Sequence, residues 1–215
     1  MSRVIAIDGP SGAGKSSVSR LVAMRLGYQY LDTGALYRAL ALYLTRNGVI
    51  AEASDATIVN AVKDATIKLE GEKVLLNGED VTDIIRTPEA GHFASVFSAR
   101  KSVREYLLEM QKTAGRSSNI VAEGRDMTTV VFPDAMVKIY LDASEHGRAQ
   151  RRYVQLNEKG MSITMEDALK DVQERDFRDK NRDIAPLKRA DEAVYIDSTN
   201  MSIEEVVDHI IQMAK

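Results

Sequence analysis

Two hydrophobic periods alternate along this chain. Val4-Ile5-Ala6-Ile7 is a short apolar run, the pattern of a buried strand. Val18, Leu21, Val22 and Leu26 then recur at helical spacing, and Gly27 supplies a stop. Tyr28–Asp32 predicts a second strand, Ala35–Asn47 a helix ended by Gly48, and Ser54 the cap of a helix running to about Ala65. Pro88–Ser98 and Val103–Ala114 predict further helices, the latter stopped by Gly115. Ile120–Ala122 and Val137–Leu141 predict buried strands, Glu145–Glu158 and Met165–Asn181 two charged helices, and Ala193–Ile196 a last strand. Ser202 and Glu205 make a capping-box pair ahead of a final helix whose Val206, Val207, Ile210 and Ile211 share a face. Strands separated by helices predict an α/β fold of three layers, a central parallel sheet with helices on both faces. Ligands of such sheets bind outside the carboxyl ends of the strands, where Asp8, Asp32, Glu123, Asp142 and Asp197 fall.

One stretch breaks the alternation. Thr66–Glu70 and Lys73–Leu76, with turn signals at Gly71-Glu72 and Asn77-Gly78, predict a small antiparallel meander. It marks an inserted β-containing subdomain, at about residues 60–97, within a single domain spanning 1–215.

Composition narrows the function classes. With 29 basic against 32 acidic residues the net charge is −3, so nothing draws the whole chain to a nucleic-acid polymer, and an anion site must come from local clusters of Arg and Lys. The absence of cysteine excludes disulfides, zinc-thiolate sites and thiol catalysis, and it fits a cytoplasmic setting. Strand pattern begins at once with no leader, and no apolar run approaches membrane-spanning length, so no membrane association is expected.

Between the first strand and the first helix stands Gly9-Pro10-Ser11-Gly12-Ala13-Gly14-Lys15-Ser16, followed by Ser17. This is the phosphate-binding-loop pattern G-x-x-x-x-G-K-S, and its strand and helix flanks are the context that pattern requires. Backbone N–H groups and a helix N-terminus then face a polyphosphate. Lys15 is expected to reach the β- and γ-phosphates, and the Ser16 hydroxyl to ligate Mg²⁺. A P-loop NTPase fold that binds a nucleoside triphosphate is expected.

Other segments offer partners for that chemistry. Leu31-Asp32-Thr33-Gly34-Ala35-Leu36-Tyr37-Arg38 lies at a strand-to-helix junction, where Asp32 or Thr33 can cap the helix and Arg38, one turn in, can face an anion. Glu123-Gly124-Arg125-Asp126 follows a strand, so Arg125 and Asp126 either point into the crevice or make a structural ion pair. Arg175, Arg178 and Arg182 share a helix face, with Arg175–Asp179 spaced as an i,i+4 pair, and Arg148, Arg151 and Arg152 form a second arginine face. Together they predict a cationic helical lid at about residues 148–183, because the planar guanidinium engages phosphate oxygens two at a time. No Asn-Lys-x-Asp or Asp-x-x-Gly motif supports a GTPase switch, and His92, His146 and His209 are too scattered for a metal site. With no Trp and few aromatics, a base-stacking groove for single-stranded nucleic acid is disfavoured.

Four segments, in combination and in order, resemble the bacterial cytidylate kinase family of P-loop nucleoside monophosphate kinases. They are Ile7–Lys15, Leu31–Arg38, Gly124-Arg125-Asp126-Met127-Thr128-Thr129-Val130-Val131-Phe132-Pro133-Asp134-Ala135, and Arg175-Asp176 through Asp183-Ile184-Ala185-Pro186-Leu187. The resemblance implies transfer of the γ-phosphoryl of ATP to CMP or dCMP, giving CDP or dCDP, with Mg²⁺. It implies that Lys15 and the loop hold ATP, and that Thr33 and Arg38, beside Asp32 and helped by Arg125, hold the acceptor phosphate. It further implies that Ser95, Arg104 and Asp126 read the cytosine, and that Arg175, Asp179 and Arg182 bind sugar and phosphates and bridge donor to acceptor. The catalytic set is then Lys15, Arg125, Arg175 and Arg182, in a monomer. Lys101 departs from the family, which often has proline there. Ser95 is chosen over Ser98 for its spacing to Arg104. The rival readings are a P-loop kinase for another acceptor, with Asp32 as base if that acceptor is an alcohol, and a nucleotide-dependent switch.

Overall fold

The computed structural model describes residues 2–215. The chain runs β1 (Val4–Asp8), α1 (Lys15–Leu26), β2 (Gln29–Asp32), α2 (Thr33–Arg46), α3 (Asp55–Val62), β3 (Ile67–Glu70), β4 (Lys73–Leu76), β5 (Glu79–Asp80), α4 (Pro88–Phe97), α5 (Lys101–Ser117), β6 (Ile120–Gly124), β7 (Val137–Asp142), α6 (Glu145–Glu158), α7 (Met165–Asn181), β8 (Val194–Asp197) and α8 (Ile203–Met213). It forms two compact units, one of the residues up to Tyr30 with Gly115–Lys215, the other of Leu31–Ala114.

The first unit is built on a parallel sheet of five strands in the order β2-β6-β1-β7-β8. β1 is central, and its Ile5, Ala6 and Ile7 are wholly buried, as an apolar run between two neighbours must be. Both neighbours come from the distant half of the chain, so the carboxyl end of β1 opens at a switch point, with Asp8 opposite Gly124 on one side and Tyr140 on the other. Val18, Val22 and Ala23 of α1 and Val206, Val207 and Ile210 of α8 pack with Ile7, Val121, Ile139 and Ile196 in one core. The predicted capping box of α8 is present. α6 and α7 occupy the ranges expected for the two charged helices.

Gly115 does not stop α5, which continues to Ser117. A Cβ at Gly115 would lie 2.5 Å from the Phe132 ring, so glycine is there for close packing. After β6 and the residues Arg125 and Asp126, Met127–Val131 coils into one wide helical turn.

In the Leu31–Ala114 unit, Leu36, Leu40, Leu44, Ile58, Ile85, Phe97 and Leu107 are buried. The predicted meander pairs antiparallel, Ile67 opposite Leu76 and Glu70 opposite Lys73. Asn77 (φ 50°) and Gly78 (φ 85°) both take the left-handed conformation that a two-residue hairpin turn demands. That turn adds a third strand, β5, two residues long and too short to show a period. α3 is capped by Ser54 but ends at Val62, short of the expected Ala65.

Candidate active site

The loop after β1 carries its own explanation for three glycines. A Cβ on Gly9 would land on the Leu141 carbonyl oxygen, and one on Gly12 would lie 2.7 Å from the Arg148 carbonyl oxygen. Gly14, at φ 89°, is the N-cap of α1 and offers no side chain, so the first amides of that helix remain for a ligand. Lys15 is buried and donates to the carbonyls of Gly9 (2.8 Å) and Pro10 (2.7 Å). Burial, reinforced by the nearby Arg125 cation, pushes its ammonium down to about 7. Ser16 and Ser17 are exposed on the first turn.

The predicted arginines of the same unit gather around one carboxylate. Asp179 accepts from Arg125 Nε at 2.7 Å and lies 3.9 Å from Arg182 Nη1. Burial opposes its charge, but Arg125, Arg182 and Arg175 outweigh burial and hold the carboxyl below its ordinary range. Asp126 is buried, with Oδ1 3.9 Å from Arg182 Nη2. The expected Arg175–Asp179 ion pair is replaced: Arg175 stands 4.0 Å from Asp171, because Arg125 has taken Asp179. Arg175 Nε is buried without a hydrogen-bond partner. Burial, then repulsion from Arg125, push this guanidinium down to about 10. Such a cation is under-satisfied, and a phosphate oxygen fits it. Arg182 lies just past α7 in extended conformation, and its Nε donates to the carbonyl of Ala185, itself at φ 48°.

Asp8 holds the turn that directly follows Arg125 and Asp126. Its carboxylate accepts from the amides of Met127 (2.8 Å) and Thr128 (2.7 Å) and from the Thr128 hydroxyl (2.7 Å). Asp142 accepts from its neighbour Ala143 N at 2.8 Å.

Arg148 and Arg151, expected on a phosphate-facing lid, are engaged with protein. Arg148 donates to the carbonyls of Ala143 and Ser11, and Arg151 to those of Ala13 and Ser198. Arg152 pairs with Asp171 at 3.0 Å.

In the Leu31–Ala114 unit, Asp32 caps α2 by accepting from Ala35 N at 2.8 Å. The capping reading is therefore correct, but the same carboxylate also organises two cations. Arg38 lies 3.4 Å away and Arg86 2.8 Å away. Burial alone would raise the Asp32 carboxyl; Arg38 and Arg86 hold it below its ordinary range. Gly34 makes room, since a Cβ there would stand 3.0 Å from Arg38 Nη1. Thr33 is buried at the helix start. Sequence reading missed Arg86. It sits in no motif, and only the fold carries it back to Asp32. Arg104 is buried, donates to Ser98 O at 3.2 Å and lies 5.5 Å over the Tyr37 ring. Ser98 is buried with its hydroxyl donating to Ser95 O at 2.9 Å, whereas Ser95 is half-buried.

The Cytidylate kinase family model matches residues 5–215. A cytidylate kinase of Fervidobacterium nodosum is 50% identical over 211 residues, covering 98% of this chain and 95% of that protein. A cytidylate kinase of Thermosipho melanesiensis is 48% identical over 211 residues, covering 98% and 96%. Among solved structures, an uncharacterized protein from Eubacterium ventriosum aligns with a TM-score of 0.54 at 11% identity, over 99% of this chain and 97% of that one, a likeness of fold alone. A match along nearly the whole length, on a phosphate loop flanked by arginines, places this chain in the cytidylate kinase family and makes it a phosphotransferase.

Proposed function

We propose that the chain transfers the γ-phosphoryl group of ATP to CMP or dCMP, giving ADP and CDP or dCDP, as a cytoplasmic monomer. The observation that carries this is the cluster of Arg125, Arg175 and Arg182 around Asp179, with the Arg175 Nε buried and unpartnered in the unit that holds the phosphate loop. An acceptor phosphate is already ionised at neutral pH, so its oxygen attacks the γ-phosphorus directly while the bond to the ADP oxygen breaks. No general base is needed, and the protein's task reduces to alignment and charge neutralisation.

The loop amides and Lys15 hold the donor phosphates. Mg²⁺, with Ser16 as its protein ligand, would neutralise the donor's phosphate charge when bound. Arg125, Arg175 and Arg182 supply positive charge where it builds up in the transition state. Asp179 orients these arginines and takes the acceptor sugar. Thr33, Arg38 and Arg86 take the acceptor phosphate, with Asp32 as the counter-charge that keeps both cations in place. Ser95 and Arg104 face the base; the inward bond of Ser98 supports Ser95 as the reader. Asp126 accepts from the cytosine amino group, and a uracil carbonyl there would meet an acceptor. Residues of the Leu31–Ala114 unit thus serve the acceptor, and α7 with the residue just past it brings Arg175 and Arg182 to the phosphates.

A panel of acceptors assayed by coupled ADP release tests the proposal. CMP and dCMP should be preferred over UMP, AMP and small alcohols. Preference for an alcohol, or ATP hydrolysis stimulated by nucleic acid with no acceptor, would overturn it.

A further inference from the structure

Asp176 stands on α7 between the arginines assigned to phosphate and has no role in the reaction described above. It is nevertheless 6% exposed, and both its oxygens are engaged. Oδ1 accepts from the Ser11 amide of the phosphate loop at 3.0 Å, and Oδ2 from Arg148 Nη1 at 2.5 Å. The same Arg148 nitrogen donates to the Ser11 carbonyl at 2.9 Å, and Arg148 Nε to the Ala143 carbonyl at 3.0 Å. One loop residue is therefore gripped at its N–H by a carboxylate of α7 and at its C=O by a guanidinium of α6. The grip is tight, because Gly12, the next residue, has no room for a Cβ against the Arg148 backbone.

This arrangement engages Arg148 with the protein despite its place in an arginine-rich helix. Its Nε and Nη1 are engaged by Ala143, Ser11 and Asp176, and its charge is balanced where it lies. It also ties the loop that receives the donor to the helix stretch that carries Arg175 and Asp179 and leads to Arg182. Asp176 follows Arg175 directly and precedes Asp179 by less than one turn. A shift of Asp176 must move both neighbours.

We propose that Asp176 and Arg148 form a brace on Ser11 that sets the register of α7 against the phosphate loop, making Asp176 a positioning residue for transfer. The proposal rests on the kinase function given above. Its effect falls on alignment of Arg175 and Arg182 in the transition state, hence on kcat more than on KM.

Steady-state kinetics on the full chain, with unfolding transitions recorded for each variant, supply one arm. Asp176→Ala should lower kcat on the order of a hundredfold, with KM for CMP changed less than about threefold. Asp176→Asn keeps an acceptor for the Ser11 amide but loses the ionic partner of Arg148, and it should retain about ten times more kcat than Asp176→Ala. Combining Asp176→Ala with Arg148→Gln should be no worse than Asp176→Ala alone, since both break one brace. Amide hydrogen exchange without nucleotide is the second arm: the Ser11 amide should exchange at least about tenfold faster in Asp176→Ala, with β1 amides unchanged. Folded Asp176→Ala with kcat within twofold of the parent, multiplicative losses in the double variant, or unaltered Ser11 exchange would each overturn the brace. Failure of the parent to phosphorylate CMP would overturn the function instead, and the exchange arm would still decide whether the brace exists.

Discussion

Thr128 binds Asp8 twice, its amide and its hydroxyl both donating to Oδ2 at 2.7 Å. The end of the central strand is thereby joined to the wide turn that begins after Asp126. Thr128→Val keeps the side-chain volume and removes one donor from a buried carboxylate. It should cost about 1–3 kcal/mol of stability by chemical denaturation. CMP turnover should fall with it, because Arg125 and Asp126 enter that turn. Unchanged stability would show that the hydroxyl bond contributes nothing.

Burial pushes Asp8 up to about 6 from 3.8, against the hydrogen bonds that lower it. Between those values the folded chain binds the proton more readily than the unfolded chain does. The stability contributed is complete below about pH 4 and lost as pH rises through about 6. Unfolding free energy of the parent minus that of Asp8→Asn should therefore decline across that window. A difference that is flat or grows with pH would contradict the assignment.

Lys15, held down to about 7 by burial and by Arg125, should regain its charge beside a polyphosphate. ATP binding at about pH 8 should then take up close to one proton, read by calorimetry in buffers of different ionisation enthalpy. Lys15→Gln should abolish that uptake. Equal uptake in both proteins would move the proton to another group.

Arg175→Met removes a cation whose Nε has no partner in the protein. Stability should hold or rise, since a buried, poorly paired charge is replaced by an apolar chain of similar length. kcat should fall on the order of a hundredfold or more, because charge stabilisation of the transition state is lost. A variant that is both less stable and fully active would make Arg175 a structural residue.

Asp126→Ala should narrow the preference for CMP over UMP in kcat/KM, by raising UMP relative to CMP. A preserved ratio would assign base reading to Ser95 and Arg104 alone.

Legibility in the sequence followed the range of the physics involved. The sheet strands, α6, α7 and the α8 capping box are local patterns of period and cap, and the chain states them directly. So does the phosphate loop, whose glycines are required by backbone approach. Gly115 misled because helix stop and close packing use the same residue, and only the position of Phe132 separates them. Arg125 displacing Arg175 from Asp179 bridges 54 positions of sequence, and helical spacing cannot anticipate it. Arg86 and Arg148 fall in the same class: their partners Asp32 and Ser11 are chosen by tertiary structure.

Ala185 takes a left-handed backbone conformation ahead of Pro186, an unfavourable place for a side chain, and its carbonyl receives the Arg182 guanidinium. The strain is retained in the ground state of the folded protein. That bond at Nε restrains the long, rotamer-rich arginine, so part of its side-chain entropy is lost during folding. Under the role proposed for Arg182 in transfer, a cation restrained before nucleotide arrives needs less binding energy to order it, leaving more for the passage of the phosphoryl group.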